Sequence, residues 1–198
     1  MTDWFRNTQW NDDIAATFEA RLGRARDKAQ YLNLQGYALL ATRPDAAAQL
    51  FERAIALDEP DQIARAALYL ATALACMGDF DGAIAALETA IDAEARHPRH
   101  RTAARLDQAL LVALAKRDDL YDLVLRRLES ETVLAFDDQS LSALIAQTLI
   151  RGERSEDVAD MADAALAALG KTEERCDDLP EYLSAGLLRG RLEALAAN

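Results

Sequence analysis

The chain is poor in the residues that make turns, covalent staples and ring-lined cores. With 8 glycines and 4 prolines in 198 residues it lacks the turn chemistry of an all-β fold, which needs a turn signal every ten or so residues. Long runs of Val, Ile and Thr are also missing. The two cysteines, Cys76 and Cys176, lie far apart and form no disulfide framework and no paired metal clip. Cys76 falls in an apolar helical pattern without neighbouring cations, so it is expected to be a small core residue rather than a reactive thiol. The only two histidines, His97 and His100, sit among arginines and a proline, with no cysteine or carboxylate beside them to complete a metal shell. They read as a solvated loop. A glycine-rich phosphate loop, an HExxH helix and a GxSxG turn are all absent. The expectation is a protein that is not an enzyme and uses no cofactor or metal.

Basic residues are scarce too. Lys and Arg number 22 against 34 Asp and Glu, a formal net charge of −12. Binding to nucleic acid or to an anionic membrane through neutralised phosphates is therefore not expected, whereas a basic protein is an attractive partner. The excess is uneven, because residues 131–198 hold 14 acids and 6 bases. No apolar run reaches the 18 or so residues of a membrane span, and the start Met1-Thr2-Asp3-Trp4 has no basic, apolar leader pattern. Cytoplasmic residence is the expectation.

What is abundant is alanine and leucine. Apolar residues make up 51% of the chain and aromatics only 6%, a composition that favours helix. Trp10, Ile14, Phe18, Leu22 and Ala25 recur at spacings of four and three and draw one stripe on a helix begun by Asn11 or Asp12, which Gly23 interrupts. Tyr31, Leu34, Ala38 and Leu39 continue to about Ala41. Pro44 and Asp45 open another helix, whose stripe is Ala47, Leu50, Phe51, Ala54, Ile55 and Leu57. The hairpin then recurs: Ala67, Leu70, Ala71 and Leu74, a left-handed Gly78, a capping Asp79, and Ala83, Leu87, Ala90 and Ile91. The offset is 36 residues, pairing Leu34 with Leu70, Ala47 with Ala83, Phe51 with Leu87, Ala54 with Ala90 and Ile55 with Ile91. A fixed offset of this size is the mark of a helical solenoid.

Leu70, Gly78-Asp79-Phe80, Ala83 and Ala90, together with Tyr31, Leu34, Ala47, Phe51 and Ala54, resemble the tetratricopeptide repeat, a family of helix hairpins of about 34 residues. The match is strong over residues 28–95. Gln35 stands where the family has a small residue, Ala38 and Leu74 where it has a tyrosine, and the proline Pro60 is shifted by one. A third hairpin has Leu110, Leu114, Asp119-Leu120-Tyr121 and Leu123 in register but Arg127 and Ser130 at positions that should be buried. Leu141, Leu144, Ile145, Thr148 and Leu149, then Gly152, then Val158, Met161, Ala165, Leu166 and Leu169 read as a divergent fourth. Tyr182, Leu183, Leu187, Leu188, Leu192 and Leu195 read as a terminal helix suited to cap the stack. The resemblance implies an all-α, α-α superhelix of antiparallel hairpins in one domain: an aromatic N-terminal segment and helix over 1–27, hairpins over 28–130, and an acidic helical part over 131–198.

The function implied by the resemblance is a protein-interaction module that holds a peptide or helix of a partner in its groove. The family's groove positions fall on Arg65, Thr72, Arg105, Gln108 and Lys116, while Leu68 and Thr72 replace two members of the set that clamps chaperone carboxylates. Trp4, Phe5 and Trp10 either fold back to seal the N-terminal end or, through Trp4 and Trp10, form a binding hot spot, for which a second copy of the chain is one occupant. The alternative function is an immunity or antitoxin-type protein, whose acidic C-terminal third would neutralise a basic toxin or nuclease. Paired acids such as Asp12-Asp13, Asp118-Asp119, Asp137-Asp138 and Asp177-Asp178 read as helix caps and dipole partners rather than catalytic pairs.

Overall fold

The computed structural model of the chain describes residues 3–130, 137–173 and 185–197. Among these residues there are helices and no strand. The order is α1 (Asp12–Leu22), α2 (Lys28–Leu39), α3 (Pro44–Ala56), α4 (Ile63–Cys76), α5 (Phe80–Arg96), α6 (Ala104–Leu114), a short 3-10 turn (Asp118–Leu120), α7 (Tyr121–Ser130), α8 (Asp137–Glu153), α9 (Ala159–Glu173) and α10 (Ala185–Ala196). No described helix is long and apolar enough to cross a membrane. The helices gather into two compact units, residues 1–104 and 105–198.

Local chemistry sets the helix ends of the first unit. Asn11 caps α1, its side-chain oxygen accepting from the Ile14 N–H at 2.9 Å. Pro44 opens α3, and Asp79 accepts from the Gly82 N–H at 2.9 Å to open α5. Such caps satisfy N–H groups that have no partner inside the helix. Gly78 takes the left-handed conformation at φ 82° between α4 and α5, as its sequence position implies. After α3 the same role falls to Asp58 at φ 51°, and in the second unit to Lys116 at φ 54° and Ser155 at φ 60°. These are non-glycine residues in a region that costs each about 1 kcal/mol.

Packing in the first unit runs from helix to neighbour: α2 lies on α3 and also on α4, α3 on α4, and α4 on α5. Small residues make this possible. Ala47, Ala54, Ala83 and Ala90 are wholly buried, and Phe51 and Leu87 fill the space between them. Each buried large side chain contributes roughly 1.5–3 kcal/mol. Gly36 allows a close approach, because a Cβ there would meet two carbons of the Phe51 ring at 2.6 and 2.8 Å. Gln35, the polar residue at a small-residue position, is fully buried but satisfied. Its Oε1 accepts from the Asn7 N–H and Nδ2 at 3.1 and 3.0 Å, and its Nε2 donates to the Asn7 carbonyl at 2.8 Å. This ties the segment before α1 to α2. The Thr42 hydroxyl donates to the Thr8 carbonyl at 3.0 Å, and Arg43 to the Trp10 carbonyl at 3.3 Å, which extends the tie to the α2–α3 turn.

Two readings of the sequence need correction here. Cys76 is exposed; it is the last residue of α4, where the helix runs out into the turn. Gly152 does not break the chain between helices. It lies within α8, where its missing side chain admits Leu195 of α10, whose nearest carbon would be 2.6 Å from a Cβ. The turn is made by Ser155 instead.

In the second unit α8 packs on α9, and α10 packs on both. Ile145, Ile150, Leu169, Leu188 and Leu192 are fully buried, so the expected apolar stripes are real there, whereas Leu187 is 54% exposed. Tyr182 and Leu183 of the expected terminal helix, and Cys176, lie outside the described residues. Arg127, at a position expected to be buried, is half-buried and donates to Gln108 Oε1 at 2.6 Å. Gln108 is 2% exposed, so the guanidinium meets the polar need of a buried amide.

The Gly36–Phe51 contact gives a stability test. Gly36→Ala gains helix propensity of about 0.5–1 kcal/mol but overpacks a ring held on all sides, so a net loss of about 1–2 kcal/mol is expected in urea unfolding. Adding Phe51→Leu to Gly36→Ala should cost less than the sum of the two single substitutions. Strict additivity would show that the two sites do not share this contact.

Candidate partner-binding surface

On α4, Arg65, Tyr69, Thr72 and Cys76 fall on one side at helical spacing. On the adjacent α2, Tyr37 sits beside them, its ring centroid 5.0 Å from that of Tyr69. Tyr69 rests in turn on Phe51, with centroids 5.6 Å apart, so the core fixes its ring while part of its surface stays open. Tyr37 is 55% exposed. Burial pushes the Tyr69 phenol above its ordinary value, and the Arg65 guanidinium partly opposes that rise. Arg65 is itself exposed. The Thr72 hydroxyl donates back to the Leu68 carbonyl at 3.3 Å and keeps its oxygen lone pairs. The surface is thus an aromatic pair on a rigid base, flanked by a cation and a hydroxyl.

A buried amide pair pins the two helices at one end of this surface. Asn33 Nδ2 donates to the carbonyl and Oε1 of Gln62 at 3.3 and 3.2 Å. Asn33 Oδ1 is buried with no hydrogen-bond partner, and leaving such a group unmade costs about 1–3 kcal/mol. The amide pair fixes the register of α2 against α4, which sets Tyr37 opposite Tyr69.

No family model, curated protein or solved structure matches the chain. Its surfaces must carry the functional reading.

Of the residues singled out by sequence, Arg65 and Thr72 come together on α4. Tyr37 and Tyr69 were missed, although their spacing along α2 and α4 was visible, because nothing in one sequence says that those two helices are neighbours. Arg105, Gln108 and Lys116 belong to the second unit. Arg105 is half-buried. Gln108 is buried beneath Arg127 and offers no surface for a partner. Lys116 lies beyond the end of α6, in the left-handed turn, so it is not on a helix face. There it donates to Glu153 at 2.8 Å, on the edge of a cavity of about 350 Å³ lined also by Leu149, Gly152, Arg191 and Leu195. Arg191 reaches the same Glu153 carboxylate at 3.4 Å. The Lys116 bond, then the charge of Arg191, holds the Glu153 carboxyl below its usual range. Both cations are drawn to the one carboxylate, so each is held in place at the cavity edge.

Trp4 and Trp10 fold back. Trp4 packs against Phe5, Phe18 and Tyr31 with centroids 5.5, 5.5 and 4.9 Å away, and Trp10 against Phe18 at 5.7 Å. Both remain half-buried. Of the paired acids, Asp12-Asp13 begin α1, Asp137 begins α8, and Asp119 pairs with Arg117 at 2.8 Å. Asp177-Asp178 lie outside the described residues. His97 and His100 follow α5 in a connection held by Glu94, whose carboxylate accepts from the Thr102 N–H and hydroxyl at 2.8 and 2.6 Å. Among the described residues no three His, Cys, Asp or Glu side chains converge to hold a metal.

Asp107, in the first turn of α6, has burial alone acting on it, which pushes its carboxyl up to about 7. An unfolded Asp titrates near 4. The folded form therefore keeps this proton over a range where the unfolded form has lost it. The resulting stabilisation is full below about pH 4, declines as pH rises, and is lost above about pH 7. Asp107→Asn should flatten this part of the profile. Between pH 5 and pH 8 the wild type is expected to lose on the order of 2 kcal/mol more than the variant, about half the full linkage value because the side chain keeps some water contact. Parallel urea-stability profiles for the two proteins would rule out a shifted Asp107.

Proposed function

We propose that the chain is a non-catalytic protein-interaction module of the helical-repeat kind, whose α2–α4 surface holds a peptide or helix of another protein. The observation that carries this is the Tyr37–Tyr69 pair beside Arg65: an exposed ring, a half-buried ring and an exposed arginine, side chains of the kinds that dominate binding energy at interfaces, on a base fixed by Phe51. Support for a tetratricopeptide-like superhelix comes from the neighbour order over α2 to α5. α2 packs on its partner α3 and on the next first helix α4, α4 packs on its partner α5, and α3 packs on α4. Such an order leaves the first helices side by side, and their outer faces make one surface. The 36-residue offset fits this order, since it pairs the wholly buried Ala47 with Ala83 and Ala54 with Ala90.

An interaction centred on rings behaves differently from one centred on charge. Apolar anchors keep their strength as salt rises, whereas a single exposed arginine is screened within about 10 Å at 0.1 M ionic strength. In affinity capture from the native cell, the Tyr37→Ala, Tyr69→Ala variant should retain the partner at least about tenfold less well than wild type. Arg65→Glu should have a smaller effect that shrinks at higher salt. A partner held equally well by the double tyrosine variant, with its helix content and urea midpoint near those of wild type, would be incompatible with this surface as the binding site.

A further inference from the structure

A second place in the first unit has the chemistry of a small-ligand site. A cavity of about 360 Å³ is lined by Trp4, Arg21, Arg24, Ala25, Arg26, Asp27 and Tyr31. Three guanidinium groups thus face one carboxylate in a chain where acids outnumber bases by 34 to 22. Several arginines elsewhere are neutralised locally: Arg6 holds Asp3, Arg43 holds Asp45, Arg53 holds Glu19, and Arg154 holds Asp122. Arg21, Arg24 and Arg26 have no carboxylate partner among the described residues.

The helix dipole explains part of this cluster. Arg21 stands in the last turn of α1, and Arg24 Nε donates to the Ala20 carbonyl at 3.2 Å, both favourable at a helix C-terminus. The same reasoning counts against Arg26 and Lys28, which flank the positive end of α2. The first turn of α2 contains no acid, and Asp27 makes no side-chain cap there. Asp27 offsets one of these charges, and the cations left over repel one another unless a further anion joins them. Beside them stand the half-buried Trp4 and Tyr31 rings, which pack on each other with centroids 4.9 Å apart and on Phe5, and turn their remaining surface to the cavity. Guanidinium forks suit phosphate oxygens, and indole and phenol faces suit a planar ring.

We propose that this cavity binds a small planar molecule carrying a phosphate group. A ligand of that size fits the local cation cluster, whereas the net charge of −12 opposes a long polyanion. A nucleoside monophosphate and an aryl phosphate share this chemistry, and their relative affinity tells which ring the site prefers.

Equilibrium dialysis of the full chain at low ionic strength tests it, with AMP, phenyl phosphate and inorganic phosphate as the probes. At least one ring-bearing phosphate should bind saturably and about tenfold or more tighter than inorganic phosphate. AMP ahead of phenyl phosphate assigns the nucleotide class, and the reverse order assigns the aryl phosphate class. Arg21→Gln with Arg26→Gln should weaken binding by about tenfold or more, and Arg99→Gln, an exposed arginine outside the cavity, should leave it unchanged. Because the three positions are exposed, an unchanged thermal melt is expected for the double variant and keeps the comparison clean. Three results overturn the proposal: no saturable binding of either ring-bearing probe at millimolar concentration, equal binding of inorganic phosphate, or full retention of binding by the double variant.

Discussion

The first unit depends on how closely its helices approach one another. Ala47, Ala54, Ala83 and Ala90 leave no room between backbones, and Gly36 brings α2 into direct contact with the Phe51 ring. Once that spacing is set, the large residues have fixed holes to fill, and Phe51 becomes a base on which Tyr69 rests. The position of the half-buried Tyr69, and with it the Tyr37–Tyr69 pair, is therefore a consequence of core packing. Side chains in a close-packed interior cannot shift far without loss of contacts, so the rings are held in place before any partner arrives.

Polar groups in this alanine-rich interior do a different job. Apolar packing of small residues is tolerant of sliding, because one alanine resembles the next. Asn33 with Gln62, Gln35 with Asn7, and Gln108 with Arg127 each demand a specific partner. The first fixes α2 against α4, the second fastens the N-terminal segment onto α2, and the third joins α6 to α7. Buried polar pairs of this kind specify an arrangement more than they stabilise it. The aromatic segment is held by the second pair and by ring contacts to Phe18 and Tyr31. The arginine-lined cavity owes its existence to that attachment, because Trp4 forms one of its walls.

Much of the local structure was readable residue by residue. Asn11, Pro44, Gly78 and Asp79 take the roles their chemistry prescribes, and most of the alanine and leucine stripes over residues 28–96 are buried or half-buried as spaced, whereas Leu57, expected at the end of one stripe, is exposed. Reading was weaker where a residue's role depends on something distant. Gly152 looks like a helix breaker until Leu195 is seen to occupy its space. Lys116 looks like a groove residue until Glu153 draws it into a turn. Gln108 looks available until Arg127 closes over it. Cys76 looks like core because its helix is apolar, yet a residue in the last turn is covered only if the next element reaches it.

Sequence by itself determined the helical class, the hairpin periodicity, most helix ends and the absence of familiar catalytic motifs, because all of these arise from interactions within a few residues or from composition. Only the tertiary structure decided which faces remain open. Tyr37 and Tyr69 are separated by a whole hairpin, and Trp4 and Arg26 by a helix, so their meeting depends on the approach of backbones that no local pattern encodes. The surfaces on which the functional proposals rest belong to that second kind of information, because exposure is a property of every neighbour a residue has.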